Sequence, residues 1–325
     1  MLAALMMTAV LSALPPQDGQ AAGTRTPPDP AAAVRLEDVV VDARRLEDAA
    51  REFVDEVANP VGRRGLARWH RGVCVGVANL RPELAQQLID RVSDVARGIG
   101  LTSHEPPCHP SILIMATSDA DAFTERFIAM RPALFQPGGS GMNQGPAALE
   151  RFRSSDQVVR WWSVSQPTDS DTGVSAVRMP GQCNLNCIGA GSAVQYAPNT
   201  AVRGTARLSS QYRQDLKRTF VIVDVDRLGG VTLTQLADYI AMVALAQIDP
   251  DADTSRFETV LNLFDDPAGV QGLSGWDQAY LEGLYGASWY RISQNSQVHA
   301  VSDNIAREYR QDRAAEDRDE GGDGR

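Results

Sequence analysis

Apolar positions along the chain fall into two spacings. Leu46, Ala49, Phe53 and Val57 recur at three- and four-residue intervals, as one face of a helix does, and Pro60 ends the run. Just upstream, Leu36-Glu-Asp-Val39-Val40-Val41 closes on β-branched residues and predicts a short strand. Gly72-Val-Cys-Val-Gly-Val77 reads as a buried strand. Pro82 then opens a helix with Leu84, Leu88, Val92 and Val95 on one face, closed by Gly98 and Gly100. Residues 111–116 form a second apolar strand, and residues 119–130 a second amphipathic helix.

Residues 136–149 and 166–205 are rich in Gly, Pro, Ser and Asn and predict long surface loops. Between them, residues 158–164 predict a strand whose Trp161 and Trp162 pack on alternate faces. Residues 220–225, Phe-Val-Ile-Val-Asp-Val, form the most strongly apolar strand. A helix over 233–248 follows, then an acidic loop over 249–253, a helix over 275–285 and a long polar helix over 289–315. Strands interleaved with helices predict an α+β fold, a mixed sheet packed by helices with long surface loops.

The N-terminus changes the picture of where this chain works. Residues 1–14 are apolar, Pro15, Pro16 and Asp18 break the run, and Gly19 to Ala22 supply small residues for cleavage. That run is shorter than the roughly 20 residues of a membrane span, so it reads as an export signal, although no Lys or Arg precedes it. The expected organisation is a signal peptide over 1–21, a linker over 22–34, an α+β domain over 35–290, a C-terminal helix over 291–315 and a disordered tail over 316–325. The expected location is periplasmic or secreted, with no membrane span. The four cysteines fit an oxidising space: Cys74–Cys108 is the favoured pair, and Cys183–Cys187 would close a local loop.

Charge narrows function further. The 325 residues carry a net charge of -10, which leaves no electrostatic footprint for nucleic acid. Of the 31 Lys and Arg residues only Lys217 is a lysine, and Gln214 stands where a Ser-x-x-Lys pair would need its serine. Gly138-Gly-Ser-Gly-Met142 lacks the last glycine of a nucleophile elbow, and Gly189-Ala-Gly-Ser-Ala193 lacks the flanking strand and helix of a dinucleotide site. Asp249, Asp251 and Asp253 alternate like calcium ligands, but Thr254 and Val260 stand where that loop needs Gly and Glu, so solvated acids are expected. Cys183 and Cys187 have no second pair or histidine to complete a zinc site. His104-Glu-Pro-Pro-Cys-His109 reads as loop histidines beside a disulfide cysteine.

One C-terminal stretch resembles a known family. Leu273-Ser-Gly-Trp-Asp277, with Leu281 and Leu284-Tyr-Gly286 after it, is similar to the closing helix of zincin metallopeptidases of the matrixin type. Thr259-Val-Leu-Asn-Leu-Phe264 resembles their Met-turn, with Leu261 in place of methionine, and residues 236–247 resemble their active-site helix. The resemblance covers about 55 residues, and it implies a zincin-like fold. It places Ala237 and Ala241 at the two helix histidine positions, Gln247 at the third ligand position and Asp238 at the general-base position. Alanine offers a metal no donor atom, so the resemblance implies a zincin-like domain with no catalytic residue, no metal and no cofactor of its own. The Ala-Asp-Tyr-x-Ala-Met helix is also similar to an uncharacterised family of exported bacterial proteins.

The expected role is binding or scaffolding, with loops 136–145 and 166–205 meeting an unknown protein or envelope component. The rival expectation is an envelope hydrolase drawing on Asp238, Asp224, Asp226 or His299, which no spacing links into a site. On the bland reading of the same helix, Leu233, Leu236, Ile240, Val243 and Ala244 simply pack on the sheet and Asp238 is a solvated or capping acid.

Overall fold

The computed structural model describes residues 36–60, 65–135, 144–176, 211–287 and 294–322. The elements run α1 (Leu36–Val57), β1 (Val75–Ala78), α2 (Pro82–Gly98), β2 (Ile112–Thr117), α3 (Ala120–Met130), α4 (Pro132–Phe135), α5 (Pro146–Ser154) and β3 (Val159–Asp169). They continue with β4 (Tyr212–Asp224), α6 (Leu233–Leu245), α7 (Gly275–Gly286) and α8 (Gln294–Gly322). Short 3-10 turns lie at Val225–Arg227 and Val260–Asn262. The chain divides into two compact units, Met1–Val41 and Asp42–Arg325. In the first, the described part is the opening of α1; everything below belongs to the second.

The fold is α+β, with helices on both faces of a four-stranded mixed sheet ordered β1-β2-β4-β3. β1–β2 and β2–β4 are parallel and β3 runs antiparallel to β4 along one edge. Strand β4 lies inside the sheet because both its faces are apolar. Val221 and Val223 enter a core with α1, α2, α6, α7 and α8, while Phe220 and Ile222 enter a second core with α3, α4 and α5. Trp161 and Trp162 divide between those cores, as strand alternation requires.

Helix α6 starts at a capping box in which Thr232 accepts from the Gln235 N–H and the Gln235 side chain accepts from the Thr232 N–H. Every residue from Gln235 to Leu245 is buried, so the helix is enclosed rather than laid on a surface. Helices α7 and α8 meet at Gly283, where an added Cβ would lie 2.8 Å from Ile305 Cγ1 and 3.1 Å from the Val301 carbonyl oxygen. Cys74 and Cys108 form a disulfide that ties the start of β1 to the loop before β2.

Four sequence expectations change. Residues 36–41 are the first turns of α1 rather than a strand, because Leu36, Val39 and Val40 continue the helical spacing of the residues after them. The expected loop over 136–149 contains the start of α5, where Pro146 opens a helix. The expected loop over 166–205 begins as β3, which runs to Asp169. Its Ser165, Gln166 and Thr168 lack an apolar alternation, and the ladder with the polar first half of β4 holds them. Helix α8 runs to Gly322 and takes in most of the tail expected to be disordered. The signal peptide, the linker, Cys183–Cys187 and the two glycine motifs at 138–142 and 189–193 lie outside the described residues, as does most of both expected binding loops.

Candidate functional site

The residues singled out in the C-terminal segment separate into a buried brace and one cavity residue. Ala237 and Ala241 are buried inside the core. Of the two roles the bland reading allows Asp238, solvated or capping, the structure excludes the solvated one. Asp238 is buried, accepts from Arg91 Nε at 2.5 Å and Nη2 at 3.1 Å, and takes the Leu273 N–H at 3.1 Å. This contact raises the Arg91 pKa. A carboxylate held this way ties α2 and α6 to the loop before α7, and it has no free approach to a reacting group.

The closing-helix motif has a similar bracing role. Asp277 accepts from Thr259 Oγ1 at 2.5 Å and from the Val260 and Ser274 N–H groups at 2.7 and 3.0 Å. Burial pushes its carboxyl up to about 6, against the pull of those donors. The Tyr285 hydroxyl donates to the Leu245 carbonyl at 2.6 Å, where α6 ends. Arg68 donates to the carbonyls of Leu284, Tyr285 and Ala287. The motif thus fastens α7 to the 3-10 turn and to the end of α6.

Gln247 differs. After α6 the backbone turns extended at Ala246, and the alternation that sends Ala246 and Ile248 into the core sends the Gln247 side chain the other way. It faces a cavity of about 270 Å³ at the free edge of β3, together with Arg160, Ser163, Gln157, Trp161, Trp162 and residues of α5. The polar groups here are buried and incompletely bonded. Gln247 is 5% exposed, and neither its amide nitrogen nor its amide oxygen has a partner among the described residues. Ser163 Oγ, Gln157 Oε1 and Arg160 Nη1 are likewise buried without a partner.

Arg160 is the most unusual of these groups. Its guanidinium is 2% exposed, yet its ion-pair partner, Asp121, is 80% exposed. Its Nε reaches the Gln157 carbonyl at 3.4 Å, and Nη2 pairs with Asp121. Nη1 is left with hydrogen-bonding capacity on the buried side. Leaving several such groups unpaired costs on the order of 1–3 kcal/mol each, more for a charged one, and the wall of this cavity holds five such atoms, each sealed from water by its neighbours. The rim is electrically balanced: Arg151 pairs with Asp251 at 2.8 Å and Asp156 with Arg227 at 3.0 Å.

In the other clusters the charged side chains pair among themselves, although Gln214 Oε1 is buried without a partner among the described residues. Arg213 and Lys217 share the Asp215 carboxylate at 2.8 and 3.4 Å, beside a void of about 20 Å³, room for a water. Burial lowers the Lys217 and His70 pKa values there. A larger cleft of about 540 Å³ runs along residues 255–274, but its Asp266, Thr259, Asn262 and Ser274 side chains already cap turns or bond the backbone. Asp251 pairs with Arg151 while Asp249 and Asp253 cap their own loop, so these acids do not converge as calcium ligands. Asp224 caps the turn after β4, and His299 accepts from Arg51 on the surface. Among the described residues no three His, Cys, Asp or Glu side chains come together.

Comparison with protein-family models, with curated proteins and with solved structures finds no match. The site therefore has to be read from its own chemistry. The zincin-type alignment brought Gln247 to notice for another reason, and Asp238 and the two alanines lie elsewhere. Arg160, Ser163 and Gln157 escaped the sequence reading. The one available signal was an arginine and a serine flanking two tryptophans in a strand otherwise apolar, Val158-Val-Arg-Trp-Trp-Ser-Val164.

Proposed function

We propose that this chain is a binding domain on a zincin-like scaffold, without the chemistry of a metallopeptidase, exported to an oxidising compartment. The observation that carries the binding role is the β3-edge cavity of about 270 Å³, lined by aromatic and polar side chains that include Trp161, Trp162, Arg151, Arg160 and Gln247. The zincin-like element of the reading is supported by order: β4, then α6, then the 3-10 turn at Val260–Asn262, then α7, with Asp277 bracing the last two. The positions that would carry the helix histidines are alanines buried in the core, which offer neither donor atoms nor an open face. The Cys74–Cys108 disulfide supports the export expectation, and no helix among the described residues is long and apolar enough to cross a membrane.

The test is a hydrolysis panel of peptides and glycans, run on the mature protein with and without added zinc. The expected result is no turnover under either condition. Zinc-dependent turnover that Asp238→Asn abolishes would overturn the reading in favour of an envelope hydrolase.

A further inference from the structure

We infer that Lys217 is a capture site for a small aldehyde or ketone bearing an anionic group, with Arg71 holding the anion while the Lys217 amine takes the carbonyl carbon as an imine. Neither residue lines the β3-edge cavity, so this goes beyond the binding reading made there. Lys217 is the chain's single lysine, and its side chain is 29% exposed, within reach of a small molecule.

The amine is poorly placed to keep its proton. Its partner among the described residues is Asp215 Oδ2 at 3.4 Å, long beside the roughly 2.7–2.9 Å of a charge-assisted bond. Arg213 holds the same carboxylate more closely, with Nε 2.8 Å from Oδ1 and Nη2 3.4 Å from Oδ2. A guanidinium stays protonated in proteins, so the amine is the member of this pair that can give up its proton. Burial lowers the Lys217 pKa, and the Arg71 and Arg213 charges lower it further, against the pull of Asp215. The unprotonated amine is the nucleophilic form.

The anion has its place beside it. Arg71 and Arg213 grip the turn after β3: Arg71 Nη2 donates to the Gly173 carbonyl at 2.7 Å and Arg213 Nη1 to the Ser170 carbonyl at 2.9 Å. A Cβ added at Gly173 would lie 3.1 Å from Arg71 Nη2 and 3.7 Å from Arg213 Nη2, so the two guanidiniums converge there. Asp169, the buried acid of that turn, accepts at Oδ1 from the Asp171 and Thr172 N–H groups. Arg71 is exposed and its partner is a neutral carbonyl, which leaves its charge and further N–H donors for a carboxylate or phosphate. The step needs no oxidant or reductant. The Nζ lone pair forms the C–N bond, the carbonyl π pair moves to oxygen, and that oxygen leaves as water with the two amine protons, so that a C=N bond remains. Asp215 Oδ2 is the acceptor in place for the first of those protons.

The experiment treats the full mature chain at neutral pH with para-formylbenzoate, with its neutral carboxamide and with para-formylphenyl phosphate. Cyanoborohydride traps the imine, and peptide mapping by mass spectrometry separates Lys217 from the α-amine. In the folded chain Lys217 should react with an anionic aldehyde at least tenfold faster than with the carboxamide, and unfolding in urea should abolish that preference. A faster reaction with the benzoate names a carbonyl acid as the natural class, and a faster one with the phosphate names a phosphorylated carbonyl compound; the inference holds in both. Arg71→Met should bring the anionic aldehydes down to the rate of the carboxamide. Equal rates for charged and neutral aldehydes, no gain of the folded over the unfolded chain, or an anion preference that survives Arg71→Met would each overturn the inference. The comparison of charged with neutral aldehyde uses the wild-type chain, so it decides the matter even where Arg71→Met fails to fold.

Discussion

Asp277 shows how one side chain can set the pH response of this fold. Its carboxyl is held at about 6 by burial, against an ordinary value of 3.8, so the folded state keeps its proton more firmly than the unfolded chain. The sign follows: the contribution is complete below about pH 4 and is lost as pH rises through 6, by about 3 kcal/mol for a shift of roughly two units. Denaturant unfolding of wild type and Asp277→Asn between pH 4 and 7 should show the wild-type advantage shrinking across that window. A difference that stays flat would contradict it. The helix over 275–285 was legible in the sequence, whereas Leu-Ser-x-x-Asp was read there only as part of the zincin resemblance and its capping box comes from the structure. Arg160 was not legible in the same way. Its importance arises from burial at a sheet edge beside Gln247, and 87 positions separate the two in sequence.

Between elements, two contacts can be tested singly. Arg91 on α2 reaches Asp238 on α6, and the arginine is 44% exposed, so solvent screens part of the attraction. Arg91→Ala should destabilise the protein by about 1–2 kcal/mol by leaving a buried carboxylate with one backbone donor. The same change in an Asp238→Asn background should cost less, and a double-mutant cycle by urea unfolding reads the difference. Gly283→Ala should cost about 1–3 kcal/mol, since the new methyl meets both a side chain and backbone of α8. Equal melting temperatures for wild type and Gly283→Ala would refute that close packing. Helices α2, α3, α6 and α7 were legible because each has strong periodicity or a cap. Residues 36–41 misled because β-branched residues favour strands locally, while the helix that follows imposes its own geometry.

At the scale of the molecule, a buried sheet with helices on both faces accounts for most of the stability, and the disulfide adds a constraint. It closes a loop spanning a sequence separation of 34, so Cys74→Ser/Cys108→Ser should lower unfolding free energy by about 4 kcal/mol. Chemical denaturation under oxidising and reducing conditions checks this, and an unchanged midpoint would contradict it. The α+β class was readable from the alternation of strands and helices. The polar ladder of β3 with the first half of β4 was not, since backbone hydrogen bonds between distant segments leave no periodic trace. The β3-edge cavity depends on that same long-range pairing. The proposal that joins these scales is a zincin-like scaffold that binds without a catalytic metal. Its most direct test is zinc per chain by elemental analysis, on mature protein saturated with zinc and then dialysed. The account predicts no stoichiometric zinc. One zinc per chain, retained in Cys183→Ser/Cys187→Ser, would contradict it and bring His70, His104, His109 and His299 forward as ligands.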